Sequence, residues 1–161
     1  MLSSLNAGRV PEGDSSGLLM AISESIGESM GGTMGAILQI FFNACEEHMA
    51  SSELAEPEAW CGAFMHGLER VQFYGGARPG MRTVLDAAVP AAEVLRAEGP
   101  QGLEKAVVAA EEGAESTRDM PALAGRSNYL LESVIKGIPD PGAKAAAIML
   151  RALVGAVSTS T

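Results

Sequence analysis

Aromatic side chains are scarce: four Phe, two Tyr and one Trp in 161 residues. Sheet cores draw on aromatic and β-branched residues in alternating runs, and none of those runs is found, which argues against a sandwich or barrel of strands. Positive charge is also in short supply, with 11 Lys and Arg against 20 Asp and Glu and a formal net charge of −9. That field repels nucleic acid and anionic membrane surfaces, so neither is an expected partner. It repels nucleotides as well unless a cation or local dipoles intervene. Cysteine is limited to Cys45 and Cys61, without CxxC spacing. A disulfide between them stays open, but buried thiols in a reducing compartment fit better, with the cytosol as the expected location. The N-terminus MLSSLNAGRVPEGDSSG has no apolar core and is not expected to be a secretory signal. The longest apolar stretch, Ala36 to Cys45, is interrupted by Gln39 and is too short to span a bilayer.

What the chain does have is Ala, Leu, Val, Ile and Met, and apolar residues make up 47% of the whole. Such side chains suit close-packed helices, and the length suits one helical domain from residue 16 onward, after a polar, flexible segment over 1–15. Leu18, Leu19, Ile22 and Ile26 form an apolar stripe at helical spacing, with Asp14 or Ser16 as its N-cap. A second helix is expected from Thr33 or Met34 to about Ala50, and a third from Pro57 to the Gly75-Gly76 stop. A fourth begins at Thr83 and should kink or break at Pro90. A fifth opens at Pro100-Gln101. The last is capped by Asp140, carries Pro141 in its first turn, and runs to about Val157. No internal repeat is present.

Three glycine-bearing loops could carry chemistry. Gly31-Gly32-Thr33-Met34-Gly35 joins two helices; paired glycines let a backbone come close to a ligand, and the following helix points free amides at it. The simpler reading is a helix–helix turn. Gly75 to Thr83 sets Arg78 and Arg82 among three glycines ahead of a helix start, and the arginines could receive phosphate. The simpler reading there is a solvated loop with Thr83 as an N-cap. Asp140-Pro141-Gly142-Ala143 alone is a helix cap, and Gly125-Arg126-Ser127-Asn128-Tyr129 alone is a turn.

In this order and spacing the segments GGTMGAIL, GARPGMRTVLDAA, GRSNY and DPGA are more specific. They resemble the nucleotide-binding (DhaL-type) domain of dihydroxyacetone kinases, whose landmarks read approximately GGSSGALY, GAxPGDRTMLDAL, GRASY and DPGA. The acidic, alanine-rich EEGAESTRDM ahead of GRSNY matches as well, and the likeness runs from about Ile22 to Val157. The resemblance implies an all-α fold, an antiparallel helical barrel or bundle with ATP bound at one end. It implies that Gly31, Gly32, Thr33 and Met34 approach the phosphates. Gly75, Thr83 and Val84, and likewise Asp140, Pro141 and Gly142, would lie against the nucleotide.

The resemblance also implies magnesium, held in that family by aspartates of an N-terminal helix and a GDGDxG loop. The nearest echo here is Glu12-Gly13-Asp14-Ser15-Ser16-Gly17, one helix before GGTMG where the family has two, so a helix cap accounts for it better. The chain is accordingly expected to be N-terminally shortened, lacking the first helix or helices of the barrel, with the metal ligands largely missing. Met34 and Met81 replace a serine and an aspartate of the family pattern. No residue is assigned a catalytic role and none a metal. His48 and His66 are expected to be partly exposed packing residues, because their spacing with Cys45 and Cys61 fits no standard zinc site.

Two readings follow. In the first the chain is the ATP-binding domain of a dihydroxyacetone kinase, incomplete alone, partnered by a dihydroxyacetone-binding domain or subunit. In the second it is a non-catalytic relative acting as a helical interaction or regulatory protein. A homo-oligomer fits either.

Overall fold

The computed structural model describes residues 13–52 and 56–159, and the expected flexible segment over 1–15 lies mostly outside them, as does Glu12. The fold is all-α: the described residues are helices and turns with no strand among them. They divide into two compact units, Met1–Gly76 and Ala77–Thr161.

The first unit holds α1 (Ser15–Ser29), α2 (Gly32–Ala50) and α3 (Pro57–Gly75). Asp14 is the N-cap of α1, its carboxylate accepting the Gly17 amide at 2.8 Å. Side-chain contacts set the directions. Ser16 donates to Glu46, Ser23 donates to Asn43, and Gly27 lies against Gln39, so α1 and α2 run antiparallel. Phe41 packs edge-on against Phe64, Cys45 donates to the Ala63 carbonyl, and His48 sits over Gly62, so α2 and α3 do too. Leu19, Cys45, Met49 and Ala63 form the buried core, with Phe41, Phe42 and Ala59 packed on it. Few aromatics are needed because Gly62 and Gly67 let His48 and Phe41 settle directly onto the α3 backbone.

Both cysteines are unpaired and buried. Burial pushes the Cys45 thiol up to about 12, partly offset by the Gly67 backbone; burial and the nearby Glu58 charge also raise Cys61. A thiol that stays protonated in the fold but ionises in the unfolded chain favours unfolding. The unfolded state then binds fewer protons, so stability falls as pH rises from about 9 toward about 12. We expect the unfolding free energy from urea titrations to fall above pH 9, by at most about 1.4 kcal/mol per pH unit from Cys45. The Cys45→Ala variant should lack that component. Equal alkaline slopes for the two proteins would refute the assignment.

The second unit holds α4 (Leu85–Glu98), α5 (Leu103–Ser116), a short α6 (Glu132–Ile135) and α7 (Pro141–Ser158), with 3₁₀ turns at Gly99–Gly102, Thr117–Asp119 and Arg126–Tyr129. Its centre is built of small residues: Ala87, Ala91, Ala106, Val107, Ala110, Ala114 and Ala143 are almost wholly buried. Such faces let helix backbones approach closely, and Gly113 lies directly beneath the Asp86 carbonyl. The expected break at Pro90 does not occur, and α4 continues through it. Pro90 has no N–H to give the carbonyl four residues back, which is that of Asp86, and it is against this carbonyl that Gly113 of α5 packs. The helix also starts at Leu85 rather than Thr83.

Among the described residues one helix, α7, is long and apolar enough to cross a membrane, a property the shorter Ala36–Cys45 stretch lacks. Lys144 pairs with Glu115, and Arg151 pairs with Glu104 and Glu111, so α7 lies antiparallel along α5. The Arg118 and Lys144 partners hold the Glu115 carboxyl below its usual range, and Arg151 does the same for Glu111. These pairs are exposed and set alignment more than stability. Met149, Leu153 and Val157, four residues apart on a face turned away from these pairs, are exposed, as is Ile148 beside Lys144 and Arg151.

Candidate functional site

In the first unit the antiparallel order carries the start of α2 and the end of α3 to one end, so the Gly31–Met34 turn and Gly75 share it. The three glycines of the turn have different reasons to be glycine. Gly32 takes a φ of +76°, which strains any side chain. At Gly35 a Cβ would lie 2.0 Å from the Met30 carbonyl oxygen, so the helix start passes too close to the preceding chain for anything larger. Gly31 has neither constraint: its backbone is extended, and a Cβ there would meet nothing within 4 Å. Its bareness serves nothing within the described protein, which leaves room for a ligand. No side chain caps the first turn of α2, so its amides and positive dipole end face outward past exposed Thr33 and Met34. Gly75 closes α3 in equally open space, and Gly76 takes the left-handed cap position with φ +70°.

In the second unit, alternating helix directions bring the start of α4, the end of α5 and the start of α7 to one end. Asp86 organises the first of these. It is 4% exposed; one carboxylate oxygen accepts the Gly80 amide at 2.5 Å and the other the Thr83 amide at 2.7 Å. Thr83 in turn accepts from the Leu85 amide through Oγ1. Thr-x-x-Asp is a capping-box spacing, and the half in which Asp86 accepts the Thr83 amide is made.

Asp140 organises the second. Its carboxylate accepts the Ala143 amide at 2.9 Å, and its own amide donates to Thr117 Oγ1 at 2.7 Å. Thr117 is completely buried and donates onward to the Ala114 carbonyl. Arg82 joins the two stretches. Its Nη2 donates to the Ile138 carbonyl at 2.9 Å, and its Nη1 lies 3.7 Å from Asp140 Oδ1. Through Arg82 the loop that leads into Thr83 and Val84 is tied to the Ile138–Asp140 stretch ahead of Pro141 and Gly142.

The expectation of a solvated loop around two arginines fails for Arg82, which is 2% exposed. Sequence reasoning singled out neither Asp86 nor Thr117. The spacing Thr83-x-x-Asp86 could have found the first; nothing in the sequence signals the second. His48 and His66 are half-buried, with ring centroids 6.0 Å apart, and His66 lies near Glu47. No group of three His, Cys, Asp or Glu placed to hold a metal ion occurs among the described residues. Asp14, Asp86 and Asp140 are all committed to backbone amides. The described residues therefore do not fit a magnesium site.

Residues 2–155 match the DAK2 domain family. This chain belongs to it. A putative 3,4-dihydroxy-2-butanone kinase of Solanum lycopersicum is 37% identical over 155 residues, spanning 91% of this chain and 26% of that protein. A human triokinase/FMN cyclase is 40% identical over 142 residues, 84% of this chain and 24% of that protein. The dihydroxyacetone kinase of Citrobacter freundii is 37% identical over 150 residues, 92% of this chain and 26% of that one. Its native crystal structure superposes with a TM-score of 0.76 at 32% identity, covering 96% of this chain and 26% of the kinase. The crystal structure in complex with AMP-PNP and Mg2+ superposes with a TM-score of 0.70, also at 32% identity. The DAK2 chain described here thus spans about a quarter of the length of these relatives.

Proposed function

We propose that this DAK2 chain supplies the ATP site of a dihydroxyacetone kinase. In the intact enzyme, phosphate would pass from ATP to dihydroxyacetone, which a further domain or subunit would hold. The observation that carries the reading is the turn at Gly31-Gly32, where a bare backbone meets an uncapped helix start in the segment that resembles a nucleotide loop. The amides and dipole of α2 would offset the charge that a chain of net charge −9 sets against a nucleotide. Gly31, Gly32, Thr33 and Met34 would face the phosphates. Gly75, Thr83, Val84, Asp140, Pro141 and Gly142 would lie along the rest of the nucleotide. Magnesium would accompany ATP in the intact enzyme and neutralise charge on the transferring phosphoryl group. Its ligands are not found among the described residues, so no step is assigned to this chain through the metal. Two buried free thiols accord with a reducing compartment, and we assign the chain to the cytosol.

A second reading, a non-catalytic helical interaction partner, is favoured by one observation: the exposed apolar row of Met149, Leu153 and Val157 on α7, which would suit a protein partner or a second copy of the chain. Titration calorimetry with ATP, in excess magnesium and in EDTA, separates the two. The first reading expects saturable ATP binding that weakens when a side chain is introduced at Gly31, as in Gly31→Val. A folded protein that binds no ATP in either condition would overturn it.

A further inference from the structure

Arg82 is held in a way that packing does not explain. Its φ of +60° is the one positive value at a non-glycine position among the described residues. Left-handed backbone costs a residue with a side chain about 1–2 kcal/mol. Its guanidinium is buried, yet Nε and Nη1 meet no hydrogen-bond acceptor among the described residues. The contact from Nη1 to Asp140, at 3.7 Å, is an ion pair too long for a hydrogen bond. An apolar side chain of similar length would fill the same space without leaving buried donors unmet, and strained, undersatisfied arrangements of this kind gather where loops must be held for a purpose.

The residues Arg82 reaches are specific. Asp86 gathers the amides of Gly80 and Thr83, which lie on either side of Arg82 in sequence. From the middle of that loop the guanidinium extends to Ile138 and Asp140, 56 residues away in sequence for the first. One side chain thereby couples the loop ending in Thr83 and Val84 to the stretch Asp140-Pro141-Gly142. The Leu123 amide, donating to the Met81 carbonyl at 3.2 Å, ties a further loop to the same place.

We propose that Arg82 is a positioning residue for the nucleotide. It sets the separation of the α4 and α7 helix starts, so that both present their backbone to one ligand, and its open Nη1 gives Asp140 a place to close onto when that ligand docks. The inference rests on the ATP reading above. A planar guanidinium reaches the Ile138 carbonyl and the Asp140 carboxylate together; a single ammonium cannot span both. Charge alone is therefore insufficient.

The test compares wild type, Arg82→Lys and Arg82→Met in the full chain. ATP affinity is read by calorimetry at a temperature where each protein is folded, and hydrogen–deuterium exchange is followed over 80–86 and 138–144. The expected result is at least a tenfold loss of ATP affinity in both variants, with Arg82→Lys unfolding near the wild-type temperature but not recovering affinity. Faster exchange in both stretches together should accompany it. Should Arg82→Met not fold, Arg82→Lys alone decides the matter. Wild-type affinity in folded Arg82→Lys would overturn the proposal, because the role would then be one of charge or packing. If wild type itself binds no ATP, the ATP reading falls, and the coupling is judged by exchange alone: loosening in one stretch without the other overturns it.

Discussion

Replacing Gly113 by alanine is expected to destabilise the protein, although the same change in an exposed helix ordinarily stabilises. A Cβ at Gly113 would lie 2.1 Å from the Asp86 carbonyl oxygen and 3.1 Å from its carbonyl carbon. Both are backbone atoms, so no side chain can turn aside. Helices α4 and α5 would have to separate by about an ångström to restore contact distance. Forcing atoms into a packed contact costs about 1–3 kcal/mol, and more when backbone must shift. Alanine recovers up to about 1 kcal/mol through its helix propensity. The clash wins, for a net loss of about 2 kcal/mol and a fall in Tm of roughly 4–8 °C. Gly155, also helical and with nothing within 4 Å of its missing Cβ, is the internal control. Scanning calorimetry of Gly113→Ala and Gly155→Ala should move Tm in opposite directions; a rise in both would show that α4 and α5 do not meet as closely as described. A shifted Asp86 should also loosen the Thr83 loop, so ATP affinity is expected to fall with stability.

Asp86→Asn should be nearly as damaging, in spite of its matched shape. The carboxylate accepts one backbone amide on each oxygen, from Gly80 and from Thr83, and the side chain is buried at the start of α4, where the helix dipole favours negative charge. An amide side chain offers one acceptor and turns a donor toward the second N–H. Hydrogen bonds to a charged acceptor contribute about 1.5–3 kcal/mol each, and one of the two is lost. Because Gly80 is exposed, water can serve its amide in part, which places the expected loss near 2 kcal/mol. Urea unfolding reads this as a lower midpoint at unchanged slope. An unchanged midpoint would mean that the two amides find other acceptors and that Asp86 does not organise the loop.

Helix existence was legible wherever apolar spacing and punctuation agreed. Asp14, the Gly31-Gly32 stop, Pro57, the Gly75-Gly76 stop and Asp140-Pro141 each mark a boundary found in the structure within a residue or two. These signals are local: a cap or a left-handed glycine acts on the turn that contains it. The ordered quartet of motifs was legible too, because a chain records order and spacing directly. Pro90 is the complementary case: its local signal was for a kink or a break, and the break does not occur. Its local effect is to remove one hydrogen bond, whereas the Asp86 carbonyl left without that bond meets Gly113 of α5, a neighbour that local sequence does not contain. The short α6 was missed because four residues carry no readable period.

Within the site, the sequence by itself determined which residue types stand in the loops: glycine where the backbone must be bare, aspartate and threonine where helix starts need acceptors. Only the tertiary structure decided how those residues are used. Among three glycines of one turn, it separated the one needed for a positive φ, the one needed for a close approach and the one left open. It also turned Arg82 from a surface cation into a buried tie between stretches far apart in the chain. The reason is physical. Conformational preference and capping act over a few residues, but burial, desolvation and the meeting of Arg82 with Asp140 depend on which helices run antiparallel and end together.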